Sequence, residues 1–160
     1  MWIRTVRQKL SFVGVGLVYL TALIVMGFFA VQPSHSMTVE VWKDPNCGCC
    51  SKWVDYMQRN GFSVKSHDTG NQKIQHDAGI PDDHRSCHTA IVAGYAVEGH
   101  VPAQDIKRLL DQKPDAIGLS VPGMVIGTPG MDDAVYQGRQ DPYKVFLLNN
   151  NGNHEVFAAY

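Results

Sequence analysis

Three of the chain's four cysteines fall within four positions, Cys47-Gly48-Cys49-Cys50, and the fourth is followed by a histidine, Cys87-His88. Three thiols this close seldom serve only as core filler. Adjacent Cys49 and Cys50 are also poorly placed to bond each other as an ordinary disulfide. Clustered thiolates suit soft metals, Cu(I) above all, with Zn(II) and Fe–S clusters as competitors. Cys47 and Cys50 also carry C-x-x-C spacing just ahead of a predicted helix, whose free N–H groups and dipole favour a thiolate. That pair is either a redox dithiol or a two-point metal clamp. Cys49 tilts the balance toward metal, because a dithiol oxidoreductase needs two sulfurs and a metal cluster uses bridging ones.

Other donors are scattered along the chain. Cys87 precedes a predicted strand and would complete a four-sulfur site, with His88 able to add a nitrogen. Met124 and Met131 follow two similar turns, Pro122-Gly123 and Pro129-Gly130, and a thioether is a soft ligand suited to Cu(I), although methionine often only fills core space. Pro122 is a candidate cis-proline facing the cysteine loop. His100 reads as a structural residue leading into a helix, and His67 and His84 as exposed loop histidines. No Ser/His/Asp set, phosphate-cradling glycine loop or paired-carboxylate motif stands out, so a hydrolase or kinase has no support.

The elements that must carry these residues follow from periodicity. Thr38 to Trp42 alternates as a strand, and Lys43 to Asn46 is a turn. From Cys49 or Cys50 to Asn60 the apolar stripe of Cys50, Val54 and Met57 predicts a helix closed by Asn60-Gly61. A strand over 62–66 and a short helix over 71–78 come next. Ala93-Gly94 then joins two strand-like runs as a hairpin. Pro102 suits the first position of a helix whose stripe is Ile106, Leu109 and Leu110. From Lys113 the Pro/Gly-rich segment reads as loop with a brief strand near Val125, and 143–158 as a terminal hairpin around Asn151-Gly152. This order predicts an α/β domain: a thioredoxin-like mixed sheet with flanking helices, an extra loop segment and a C-terminal hairpin.

The N-terminus reads as a separate unit over residues 1–36. Arg4, Arg7 and Lys9 form a basic head, an unbroken apolar run spans Leu10 to Val31, and Pro33-Ser34-His35-Ser36 closes it. That pattern is an export signal, and the run also reaches the ~20 residues needed to span a bilayer. Cleavage and retention as an inner-membrane anchor through residues 10–31 are both open. The remainder, 37–160, is sized for one domain delivered to the periplasm or another extracytoplasmic space. Without the three basic leader residues it carries 11 Lys+Arg and 15 Asp+Glu, a net charge of −4, which does not suit nucleic-acid binding. In an oxidising compartment, thiols need protection by metal, by a reductant or by cycling.

Taken together, Asp44-Pro45-Asn46-Cys47-Gly48-Cys49-Cys50, Gly61-Phe62, Ser86-Cys87-His88-Thr89-Ala90, Gly94-Tyr95, Glu98-Gly99-His100-Val101-Pro102 and Gly118-Leu119-Ser120-Val121-Pro122-Gly123-Met124 occur in order. The chain thus resembles the CopG-like copper-resistance family, built on domain of unknown function 411, over essentially the whole exported domain. Val125 stands where that pattern has proline, and Thr128 where serine is usual. The resemblance implies an exported thioredoxin-like protein that handles copper, with a cysteine-bridged multinuclear copper cluster and redox activity. It implies Cys47, Cys49, Cys50 and Cys87 as sulfur ligands, with His88, Met124 and Met131 as further contributors. The expected function is to sequester Cu(I) or transfer it, with other exported copper carriers or efflux components as partners. The alternatives are a periplasmic thiol–disulfide oxidoreductase using Cys47 and Cys50, and a structural zinc site.

Overall fold

The alternation of Val39, Val41 and Lys43 inward makes Thr38–Lys43 the first strand, β1, in a computed structural model that describes residues 37–160. The leader and anchor expected over 1–36 lie outside the described residues. Helix α1 (Gly48–Arg59) follows. It buries Cys50, Trp53, Val54 and Met57, and Cys47 is its N-cap, whose Sγ accepts from the Cys50 N–H at 3.4 Å. Strand β2 (Ser63–His67) returns parallel to β1. Helix α2 (Gln72–Asp77) and a 3-10 turn at Asp82–His84 lead to β3 (His88–Val92), antiparallel to β1 with Lys43 opposite His88.

Ala93 and Gly94 have φ of 48° and 89°, the left-handed pair of a tight hairpin, and turn the chain into β4 (Tyr95–Glu98). Helix α3 (Ala103–Gln112) starts with Pro102 as its N-cap, one position outside the helix, and not as its first residue. Then come β5 (Ala116–Ser120), parallel to β4, β6 (Lys144–Asn149) and β7 (His154–Ala159). The result is a mixed seven-stranded sheet in the order β2-β1-β3-β4-β5-β6-β7, an α/β architecture ending in the expected hairpin.

Strand alternation divides the core between the two faces of the sheet. Val39, Val41, Ala90, Val97 and Leu119 pack with Trp53 and Met57 of α1 and Ile106 and Leu109 of α3. Ile91, Ala96 and Leu148 pack with Ile80 in a smaller cluster. Trp53 is fully buried, and its indole N–H donates to the Val101 carbonyl at 3.0 Å, tying α1 to the segment that opens α3.

The Pro/Gly-rich segment departs from its expected form. It contains β5, which occupies an interior position, and a Cβ on Gly118 would lie 1.8 Å from the Ala96 carbonyl oxygen. The glycine that lets β4 and β5 approach also interrupts the alternation that would have advertised a strand. Val125 is in no strand. It begins a closed loop in which the Thr128 N–H donates to the Val125 carbonyl at 3.3 Å and the Gly127 N–H to the Met131 carbonyl at 2.9 Å. Among the described residues there is no cis peptide bond, so the bond before Pro122 is trans, contrary to expectation. No described helix is long and apolar enough to cross a membrane.

Candidate metal centre

The four cysteines meet at one end of the sheet. Their Sγ atoms all lie within 4.8 Å of one another. Three come from the β1–α1 junction and its first helical turn, and Cys87 comes from the residue before β3. The antiparallel register of β1 and β3, with Lys43 opposite His88, forces these two chain positions together. Cys47 and Cys50 are joined as a disulfide with Cα atoms 5.3 Å apart, while Cys49 and Cys87 are free. Cys49 Sγ sits 3.5 Å from Cys47 Sγ, and Cys50 Sγ lies 3.6 Å from the Cys87 carbonyl oxygen.

Imidazoles close the other side. Cys87, His88 and His100 form a second group, whose ligand atoms also lie within 4.8 Å of one another. Cys87 Sγ is 3.5 Å from His88 Nδ1 and 3.3 Å from His100 Nε2. His100, taken from sequence as merely structural, is therefore as close to the thiol as His88. Its Nδ1 faces the Pro129 carbonyl at 2.8 Å, which leaves Nε2 aimed at Cys87 as an acceptor. The nearest sequence signal was Gly99, whose φ of 72° turns the chain so that His100 leaves the plane of β4. His88 is fully buried between the rings of Trp53 (4.6 Å) and His100 (4.9 Å), and its Nε2 has no hydrogen-bond partner.

Burial sets the protonation of the metal-free site. It holds His88 well below the ordinary imidazole range, with His100 adding to the effect, and it lowers His100 as well. Burial, with the neighbouring Cys49, pushes the Cys87 thiol up to about 12. Neutral imidazoles present lone pairs, and a thiol that resists ionisation releases its proton to solvent when a cation takes its place on the sulfur. The donor set, sulfur with neutral imidazole, fits a soft or borderline metal.

The methionines stand further out. Met131 is buried with its Sδ 3.9 Å from the Tyr136 hydroxyl. Its loop touches the site through Gly130, where a Cβ would lie 2.8 Å from both the Cys49 carbonyl oxygen and the Trp53 nitrogen. Met124 is 61 % exposed, though Gly123 before it accepts from the Ser86 hydroxyl at 2.5 Å, next to Cys87. The two histidines expected in exposed loops are placed otherwise. His84 is buried against Phe146 and His154, and His67 is half-buried, stacked on Trp42 at 4.7 Å and bonded to Glu40 at 2.9 Å.

An α/β domain with four sulfurs and two imidazoles gathered at one end of its sheet has the donor set of a metal-binding protein. Residues 84–131, which include Cys87, His88, His100 and both Pro-Gly-Met turns, match the family described as "Protein of unknown function, DUF411". Two solved structures titled copper resistance protein copG, forms 2 and 1, are each 39 % identical to the chain. They cover 79 % of it at TM-scores of 0.73 and 0.72, and the chain spans 99 % and 98 % of their lengths. No curated protein matches the chain. The chain belongs to the CopG-like copper-resistance family.

Proposed function

We propose that the domain is an exported copper-binding protein that takes up Cu(I) through Cys47, Cys49, Cys50 and Cys87 and sequesters it or passes it on. The observation that carries this reading is the convergence of four Sγ atoms within 4.8 Å, beside two imidazoles held neutral. Three thiolates in one short turn favour bridging and hence more than one ion. His88 and His100 supply nitrogen, and Met131 and Met124 act as outer thioethers that tune exchange. The strand–cysteine loop–helix start and central β3–β4 hairpin support a thioredoxin-like ancestry. Residues 1–36 serve as the export signal or anchor that delivers residues 37–160 outside the cytoplasm, where other copper carriers or efflux components are the partners.

The test is native mass spectrometry of the reduced, anaerobic protein supplied with Cu(I). More than one copper per chain is expected, and Cys49→Ser should lower the count. No copper at stoichiometric supply, or an unchanged count in Cys49→Ser, ends the proposal. A single zinc retained in preference to copper would favour a structural zinc site.

The Cys47–Cys50 disulfide supports a second reading, a thiol–disulfide oxidoreductase. That activity needs only those two sulfurs. Insulin reduction that survives replacement of both Cys49 and Cys87 by serine would favour it. The two readings meet in one physical constraint: the bonded pair offers no thiolates, so metal loading and disulfide formation compete for the same atoms.

A further inference from the structure

The Cys87–His88 pair is flanked by Ser86 and Thr89, and one fully buried carboxylate holds both flanks. Glu98 Oε1 accepts from the Ser86 N–H at 2.5 Å and from Gln75 Nε2 at 2.7 Å, and Oε2 accepts from the Thr89 hydroxyl at 2.6 Å. Two amides of the α2 region close the ring. Asn71 Nδ2 donates to the Ser86 carbonyl and to Thr89 Oγ1, each at 3.2 Å, and Gln75 Nε2 reaches the Ser86 carbonyl at 3.1 Å. Each carboxylate oxygen thereby accepts from one flank of this segment, and Oε1 from Gln75 as well.

The same corner of chain delivers His100. The Gly99 N–H donates to the His88 carbonyl at 2.9 Å, and a Cβ on Gly99 would lie 2.7 Å from the Ser86 hydroxyl. Glu98 thus sits where β4 ends, between the segment that carries Cys87 and the turn that carries His100. The 3.3 Å approach of Cys87 Sγ to His100 Nε2 depends on keeping these two pieces of chain in register. A buried carboxylate costs free energy that an apolar residue would not, and its full set of partners offsets that cost only in this one arrangement.

We propose that Glu98 is the positioning residue of the metal centre: its carboxylate bridges Ser86 and Thr89 and so fixes Cys87 and His88 against His100. This rests on the copper reading above and names the group that organises its nitrogen side. Groups that orient metal ligands without touching the metal usually change affinity by about 10- to 100-fold when altered.

Glu98→Asp keeps the carboxyl group but shortens the reach, so one side chain no longer spans both flanks. Glu98→Gln keeps the length and an acceptor for the Ser86 N–H, while the Thr89 hydroxyl turns to accept. In copper-loaded protein, Glu98→Asp is expected to lose the imidazole component of the copper X-ray absorption spectrum. It should also release Cu(I) to a chelator at least about tenfold faster, with Glu98→Gln restoring both. In metal-free protein, iodoacetamide should alkylate Cys87 faster in Glu98→Asp than in the parent or in Glu98→Gln, with circular dichroism unchanged. An Asp variant matching the parent in imidazole signal, release and alkylation overturns the proposal, as does a Gln variant as impaired as Asp. Should the parent bind no copper, the copper reading fails, and the alkylation rates still decide the role of Glu98. If Glu98→Asp does not fold, Thr89→Ser, which keeps the hydroxyl, and Thr89→Val, which removes it, carry the same comparison from the other side of the bridge.

Discussion

Cysteine 87 shows how far one side chain's surroundings decide its chemistry. Burial raises its thiol to about 12, so in the metal-free protein it is a neutral group beside two imidazoles and only a slow nucleophile. The histidines have a measurable consequence for stability. Burial holds His84, His88 and His100 below the ordinary imidazole range, so on acidification the unfolded chain takes up protons near pH 6.5 before the folded one does. Stability is therefore lost as pH falls below about 6.5. Glu98 works the other way: burial raises it to about 7, so the folded state keeps a proton that the unfolded chain releases above its ordinary carboxylate pKa. We expect the histidines to dominate. Thermal melts of metal-free protein should show a lower Tm at pH 5 than at pH 7. Glu98→Gln, which removes the opposing contribution, should show a steeper drop, and a Tm that rises on acidification would contradict the assignment.

Short loops, more than helices, hold the donors at the scale of elements. Cys47 caps α1 with its sulfur and pairs with Cys50 one turn later, so the first turn of the helix is itself part of the site. The 125–131 loop is pressed onto that turn through Gly130, whose φ of 86° and 2.8 Å clearances leave no room for a side chain. Gly130→Ala should cost about 1–3 kcal/mol in denaturant unfolding of the metal-free protein, the usual penalty for a non-glycine residue forced into the left-handed region. It should also push the Met131 loop off α1 and raise the reactivity of Cys49 toward maleimides. Unchanged thiol reactivity would mean that the loop covers the cysteines less than the packing implies. Removing the fully buried Trp53 ring, which fills the space beneath His88, should cost about 3–5 kcal/mol, as large-to-small core changes do.

Strand order makes the centre for the molecule as a whole. The end of β1, the start of β3 and the end of β4 are neighbours in the sheet, so the cysteine loop, the Cys87–His88 pair and His100 share one end of it. This single location ties metal loading to thiol oxidation state. Protein oxidised at Cys47–Cys50 offers two free thiols where the reduced form offers four. Equilibrium dialysis against buffered Cu(I) should give the oxidised form fewer bound ions than the reduced form, with the difference abolished in Cys47→Ser. Equal loading of both forms would place the metal on other donors.

The cysteine triplet, the Cys87-His88 pair, the strand-then-helix order and the terminal hairpin were legible in the primary structure. Spacing and periodicity are local properties and survive without knowledge of the fold. What stayed hidden depended on distant partners. Strand β5 pairs on both sides across Gly118, where local alternation fails. Glu98, unremarkable in a string of residues, becomes a bridge only once β3 and β4 are in register. His100 lies 13 residues from Cys87 along the chain, and only the turn at Gly99 brings its ring within 3.3 Å of the sulfur. Residue types dictate which donors are available, and sheet pairing dictates which of them meet, because register is a long-range property that no short window of sequence contains.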